Sequence, residues 1–205
     1  MILGVDFDNT LVSYDEIFFS AALEQGLVPE DLHPSKNEVR AFLRRTGRED
    51  LWTELQGYVY GEAIKDAPPF PGAVEALAAL LERGAEVRII SHKTRRPYLG
   101  NEQYDLHEAA RSWIEANVLP RILRPVEAYF EPTKEAKLER IAATKCTHFV
   151  DDLPEFLGEL SFPAGVVKIL FDPANCHESA PDVRTTLSWR EIRGILEKEV
   201  TPRDA

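Results

Sequence analysis

Cysteine is scarce in this chain, and glycine and proline are too few to dominate it. The only cysteines among the 205 residues are Cys146 and Cys176, and neither stands in a CxxC pair. This spacing argues against a disulfide framework and against a cysteine-rich zinc site. The 11 glycines and 14 prolines exclude a collagen-like or low-complexity chain. The length fits about one globular domain with a modest insertion.

Positive charge and long apolar runs are also in short supply. Lysine and arginine total 24 against 35 aspartates and glutamates, which gives a net charge of −11. General nucleic-acid binding needs a basic surface, so we do not expect this chain to bind nucleic acids generally. The net charge does not exclude a local basic patch. No stretch approaches the roughly 20 apolar residues that span a bilayer. The first six residues lack the basic flank of a signal peptide. We therefore expect a cytoplasmic protein that does not bind membranes.

Short apolar runs alternate with amphipathic patterns along most of the chain. The runs are β-branched and end at polar residues, which is typical of strands buried in a sheet. They occupy residues 2–5, 87–90, 126–130, 148–150 and 166–171. Helical spacing runs over 73–83 and 134–144, and Ser188 with Glu191 forms a capping box for a last helix. The alternation predicts an α/β fold with a parallel sheet and right-handed crossovers.

Residues 14–67 break this alternation, because they carry helical patterns throughout and separate the first strand from the second. The patterns cover residues 16–25, 36–45 and 49–64, which is too much chain for one crossover helix. We interpret the segment as an inserted helical subdomain, with the α/β core formed by residues 1–13 and 68–205. The alternative is two or three extra helices packed on the edge of the sheet.

Polar residues follow the predicted strands at the edge where ligands bind in open parallel sheets. The groups expected to meet there are Asp6, Asp8, Ser91, Asp151, Asp152 and the helix-opening Lys134. Carboxylates held this close repel one another unless a cation lies between them, and oxygen ligands suit Mg²⁺. A phosphate bound to the cation would also find a hydroxyl and an ammonium group. One carboxylate could attack phosphorus, and a second could exchange a proton with the leaving oxygen.

These motifs, in this order, resemble those of the haloacid dehalogenase (HAD) superfamily in its phosphatase form. The resemblance rests on the sequence DFDNTLV at residues 6–12, on Ser91 after a strand, on Lys134 at a helix start and on FVDD at 149–152. It implies a Rossmann-like parallel sheet flanked by helices. It also implies that residues 14–67 form a small helical cap, inserted between the first and second motifs, that selects the substrate.

The resemblance also implies an activity. Asp6 would be the nucleophile that forms an aspartyl-phosphate, and Asp8 would be the general acid and base. An aspartate two residues after the nucleophile is absent from the dehalogenases of the family, so its presence here favours phosphoryl transfer. The chain is therefore expected to be a Mg²⁺-dependent phosphomonoester hydrolase that acts on a small phosphorylated metabolite.

The remaining roles follow in the same way. Asp6, the backbone carbonyl of Asp8, and Asp152 would hold Mg²⁺, with Asp151 in support. Ser91 and Lys134 would bind the phosphoryl group. Lys137 competes for the second of these positions, and we prefer Lys134 because it opens the helix.

Two alternatives concern function more broadly. The basic residues 92–96 could bind a second anionic group of the substrate or could form an ordinary solvated loop. The acidic cluster could also belong to a phospho-accepting signalling module, or to a metal-binding partner protein that has lost catalysis.

Overall fold

The computed structural model describes residues 1–178 and 180–200, and its central element is a six-stranded sheet. Every neighbouring pair of strands is parallel, in the order β3-β2-β1-β4-β5-β6. The strands are β1 (Ile2–Val5), β2 (Glu86–His92), β3 (Glu127–Glu131), β4 (His148–Asp151), β5 (Val167–Phe171) and β6 (Val183–Thr186). The predicted α/β fold class with a parallel sheet is confirmed.

Within the described residues, eight α-helices accompany the sheet. Their bounds are α1 (Asp15–Glu24), α2 (Lys36–Arg45), α3 (Glu49–Gly61), α4 (Ala73–Glu82), α5 (Leu106–Asn117), α6 (Lys134–Ala143), α7 (Pro154–Leu157) and α8 (Trp189–Leu196). None of these helices is long and apolar enough to cross a membrane.

The chain divides into two compact units. The first contains Met1–Val12, Pro69–His92 and the described residues from Ala116 onwards, and it carries the whole sheet. The second contains Ser13–Pro68 and Lys93–Glu115. It therefore includes a stretch of chain beyond the insertion predicted at 14–67. The predicted core range ends at residue 205, and residues 201–205 lie outside the described part of the chain.

The centre of the sheet is packed tightly enough to fix the register of β1. Val5 pairs with Ile89 on one side and with Val150 on the other, and all three side chains are fully buried. Gly4 faces the ring of Phe149 so closely that a Cβ atom at this position would lie 2.4 Å from a ring carbon. A side chain is therefore excluded there, and the two central strands approach each other without one.

The second unit has its own aromatic core. Phe18 of α1 stacks on Trp52 of α3, with 5.0 Å between ring centroids. Tyr60 of α3 packs edge-on against Tyr14, which precedes α1, and against Phe18. The indole N–H of Trp113 in α5 donates to the carbonyl of Ala67 at 2.8 Å, which ties the 93–115 segment to the end of the insertion. The aromatic residues of the insertion thus form its core, as aromatic side chains in a small helical unit commonly do.

Candidate active site

The first acidic residue follows β1 directly. The backbone N–H of Asp6 donates to the carbonyl of Val150 at 2.9 Å, which extends the pairing of β1 with β4 by one residue. The chain then turns sharply: Asn9 has a left-handed φ of 57°, and the N–H groups of Leu11 and Val12 both donate to the carbonyl of Phe7. Asp6 is buried at the edge of the sheet, and Asp8, two residues on, is half-buried.

The second acidic pair lies at the end of the neighbouring strand. Asp151 is the last residue of β4 and is fully buried, and its Oδ1 atom accepts a hydrogen bond from the N–H of Leu153 at 3.0 Å. Carboxylate oxygens of Asp6, Asp151 and Asp152 all lie within 4.8 Å of one another. Three carboxylates at this separation, two of them buried, form an oxygen-only donor set that fits Mg²⁺.

A buried lysine joins the two strand ends. The Nζ atom of Lys137, in α6, lies 2.6 Å from Oδ1 of Asp6 and 2.6 Å from Oδ2 of Asp151. Its ammonium group also lies 4.1 Å from the centroid of the Phe156 ring, and only 2% of the residue is exposed. A charge this deep is tolerated because it is paired with carboxylates on two sides.

The pKa values of this group follow from burial and pairing. Burial alone would lower the pKa of Lys137, but the charges of Asp151 and Asp6 outweigh it and raise the pKa above its ordinary value. Burial raises the pKa of Asp151, and Lys137 opposes that rise. The ammonium of Lys137 therefore stays charged at neutral pH.

These contacts place Lys137, and not the preferred Lys134, against the carboxylates. Thr133 caps α6, its hydroxyl accepting from the N–H of Ala136 at 3.1 Å, so that Lys134 is the first helical residue. Helical side chains lean toward the N-terminus of their helix. Lys137, one turn further in, therefore reaches back to the carboxylates, whereas Lys134 lies at the helix start and stays partly exposed. The helix-opening position alone therefore does not identify the lysine that contacts the carboxylates.

The predicted hydroxyl also lies at this edge of the sheet. Ser91 is buried in β2, one residue before the strand ends, and its Cα pairs in register with that of Phe130. Because β2 neighbours β1, Ser91 lies at the same edge of the sheet as Asp6.

One residue without a predicted role contacts the acidic cluster, and a second residue bonds to the first. Thr10 is buried and its hydroxyl donates to Oδ1 of Asp152 at 3.4 Å. The indole N–H of Trp189, the first residue of α8, donates to the backbone carbonyl of Thr10 at 2.9 Å. Thr10 stands in the first motif, which could have marked it. No local pattern relates position 189 to position 10, so the sequence offered no signal for Trp189.

Comparisons with known proteins bear on the fold of the chain. No family model matches the chain. A solved structure of a HAD-superfamily hydrolase from Ehrlichia chaffeensis superposes with a TM-score of 0.57 at 16% identity, covering 98% of this chain and 97% of that one. The chain has the HAD-superfamily fold. The resemblance inferred from the four motifs is thereby confirmed at the level of the fold.

Curated relatives resemble this HAD-fold chain in sequence over nearly its whole length. A protein of Oceanobacillus iheyensis named "Putative nucleotidase" is 27% identical over 199 residues, covering 94% of this chain and 97% of the relative. A protein of Bordetella parapertussis named "Putative 5'(3')-deoxyribonucleotidase" is 28% identical over 211 residues and covers both chains in full. Both names describe enzymes.

The predicted basic loop of this HAD-fold chain is partly engaged within the second unit. Arg95 pairs with Asp105 at 2.8 Å, and Arg96 donates to the backbone carbonyls of residues 102 and 103. Lys93 is buried, with its Nζ atom 4.5 Å from the ring centroid of Tyr60. These arginines therefore stabilise the loop that leads into α5.

Proposed function

We propose that the chain is a Mg²⁺-dependent phosphomonoester hydrolase acting through an aspartyl-phosphate on Asp6. The observation that carries the proposal is the meeting of three carboxylates and a buried ammonium at the carboxyl edge of the sheet. Asp6 and Asp151 share Lys137 at 2.6 Å each, and Asp152 lies within 4.8 Å of both. Such a cluster is costly to hold for structure alone, because each buried charge must be desolvated.

The first step is displacement at phosphorus. A carboxylate oxygen of Asp6 forms a bond to phosphorus, while the bond from phosphorus to the ester oxygen breaks. Asp8 donates a proton to the departing oxygen, so that an alcohol leaves. Lys137 and Ser91 are the chain's own groups for stabilising the negative charge on the phosphoryl oxygens.

The second step releases phosphate. Water attacks the phosphorus atom of the aspartyl-phosphate, Asp8 takes a proton from that water, and the bond between phosphorus and Asp6 breaks. The residues that would hold Mg²⁺ are Asp6, Asp152 and the backbone carbonyl of Asp8, with Asp151 in support. When bound, Mg²⁺ neutralises phosphate charge and the repulsion among these carboxylates.

The substrate class we propose is a nucleoside monophosphate, with deoxyribonucleotides included. The relatives named as nucleotidases support it, because their similarity extends over nearly all of this chain. We retain the prediction that the insertion at 14–67 acts as a cap that selects the substrate. A cytoplasmic location also stays a prediction.

The test is a turnover screen against nucleoside 5'- and 3'-monophosphates, their deoxy forms and sugar phosphates, with and without Mg²⁺. We expect phosphate release from nucleotides, loss of activity in EDTA, and recovery on adding Mg²⁺. Asp6→Asn should abolish turnover while the fold is kept, and Asp31→Asn, an exposed acidic position of the second unit, is the matched control. Activity that survives thorough chelation, or an active Asp6→Asn variant, would overturn the proposed mechanism. A preference for sugar phosphates would overturn the substrate class alone.

A further inference from the structure

A second group of metal-ligating side chains lies in the loop that follows β5, outside the carboxylate cluster. It consists of Asp172, Cys176 and His177, and each offers one ligand atom within 4.8 Å of the other two. The carboxylate is buried, whereas the cysteine and the histidine are exposed. The three residues supply three different donor atoms: oxygen, sulfur and nitrogen.

We propose that Asp172, Cys176 and His177 form a binding site for one thiophilic divalent cation, of which Zn²⁺ is the representative. Carboxylate oxygen, thiolate sulfur and imidazole nitrogen are the donors that zinc takes in proteins. A thiolate ligand disfavours Mg²⁺ and Ca²⁺, which prefer oxygen throughout. Three protein ligands leave one tetrahedral position, which water would fill.

Hydrogen bonds hold Asp172 in a fixed position. One of its carboxylate oxygens accepts from the N–H of Cys176 at 3.1 Å, and the other accepts from the N–H of His177 at 2.9 Å. The backbone N–H of Asp172 itself donates to the carbonyl of Thr186 in β6 at 2.8 Å. A carboxylate has about four lone-pair positions, so these two backbone bonds leave capacity for a metal.

The three ligands also need little ordering to bind. They lie within six consecutive residues, and the backbone bonds to Asp172 already hold the loop closed. Closing so short a segment around an ion costs less conformational entropy than recruiting ligands from distant elements. The exposure of Cys176 and His177 leaves both side chains accessible to an ion from solvent.

Hydrogen bonds within the loop shift the pKa values of two of the three ligands. Burial alone would raise the pKa of Asp172. The hydrogen bonds from the backbone N–H groups of His177 and Cys176 outweigh burial and hold this pKa below its usual value. Partial burial and the hydrogen bond to Asp172, at 3.4 Å from Sγ, raise the pKa of the Cys176 thiol. A metal that binds through the thiolate takes the place of the thiol proton.

The experiment is a titration of the purified, reduced chain with Co²⁺, a spectroscopic substitute for Zn²⁺, in excess Mg²⁺ that occupies the carboxylate cluster. We expect one equivalent to bind with a thiolate-to-cobalt charge-transfer band, which Zn²⁺ then displaces. Cys176→Ser should abolish that band, and His177→Asn should weaken binding roughly tenfold or more. Cys146→Ser is the matched control, since it removes the other cysteine and should leave the band unchanged.

The outcomes separate cleanly. A missing charge-transfer band at saturating Co²⁺, or a band that persists in Cys176→Ser, would overturn the proposal. A band that depends on Cys146 would overturn it as well. Because Cys176 and His177 are exposed, both variants should keep the far-ultraviolet circular dichroism of the parent chain. The result does not depend on phosphatase activity, so the two proposals stand or fall separately.

Discussion

Replacing Lys137 by methionine removes a buried ammonium group and keeps an apolar side chain of similar length. In the parent chain this ammonium lies 2.6 Å from carboxylate oxygens of both Asp6 and Asp151. Breaking a buried ion pair by deleting one partner typically costs about 3–5 kcal/mol, because the remaining charge is left unpaired. Here two carboxylates lose their partner, so we expect a loss of roughly 3–5 kcal/mol in the free energy of unfolding without metal.

The assay is urea unfolding of the variant and the parent chain, first in EDTA and then in Mg²⁺. Mg²⁺ should stabilise the variant more than the parent, since a cation then supplies charge that the lysine no longer provides. Lys134→Met is the matched control: it removes the same charge one turn earlier on α6, at a partly exposed position. A partly exposed substitution of this kind should change stability by no more than about 0.5 kcal/mol.

Equal stability of the two lysine variants in EDTA would refute the assignment of Lys137 as the lysine of the site. Phosphatase activity gives an independent reading. Lys137→Met should lower kcat strongly, whereas Lys134→Met should leave it near that of the parent chain. The reverse pattern would restore Lys134 to the phosphate-binding role.

Two further predictions concern contacts outside the cluster of Asp6, Asp151 and Asp152. Trp189→Phe deletes an indole N–H bond to the carbonyl of Thr10, and it should weaken Mg²⁺ binding, measured by calorimetry without substrate, by up to about tenfold. Trp113→Phe deletes an equivalent buried bond in the second unit. Trp113→Phe should lower the free energy of unfolding by ~1–2 kcal/mol, as Trp189→Phe should, and leave Mg²⁺ affinity unchanged. Equal Mg²⁺ affinities of the two variants would contradict the link between Trp189 and the site. The hydrogen bond from Arg184 holds the pKa of Glu199 below the ordinary value for a glutamate. The stability that this pair adds is therefore present above about pH 4.5 and is lost as the pH falls through the lowered pKa. Glu199→Gln should show a smaller loss of stability below that pH in acid unfolding curves, and curves that run parallel would contradict this reasoning.

The strands that carry the site could be predicted because their sequence signal is local. β1 coincides with its predicted bounds, and β4 and β5 differ by one residue at one end. Each is a short run with apolar residues that are mostly buried, and it ends at or just before an aspartate, which leaves few competing interpretations. α2 also coincides with its predicted bounds, Lys36–Arg45, because Ser35 accepts a hydrogen bond from the N–H of Asn37 as an N-cap.

Other elements lacked such a signal. β6 (Val183–Thr186) is a four-residue edge strand with three of its four side chains at least partly exposed, so no apolar run marks it. The helical pattern that begins at residue 49 extends to residue 64, but α3 ends at Gly61 and a 3₁₀ turn, Ala63–Asp66, follows. The apolar residues there are buried either way, so periodicity alone does not separate the two geometries.

The distinction between the two lysines required three-dimensional information. Lys134 and Lys137 lie three residues apart on one helix, and both could face the sheet. The choice depends on where the helix begins relative to the strand ends, which the tertiary structure determines. The acidic residues needed no such information, because their positions follow directly from the ends of β1 and β4.

The strand order has a consequence for biosynthesis. β1 obtains its neighbours from chain made much later: Ile2 bonds with Thr147, 145 residues downstream, and the β2 partner follows only after the insertion. Asp6 therefore lacks its neighbours on β4 and α6 until most of the polypeptide has been synthesised. During translation β1 stays without its sheet partners, whereas the three helices between β1 and β2 (α1–α3) can form from local contacts before β4 is synthesised.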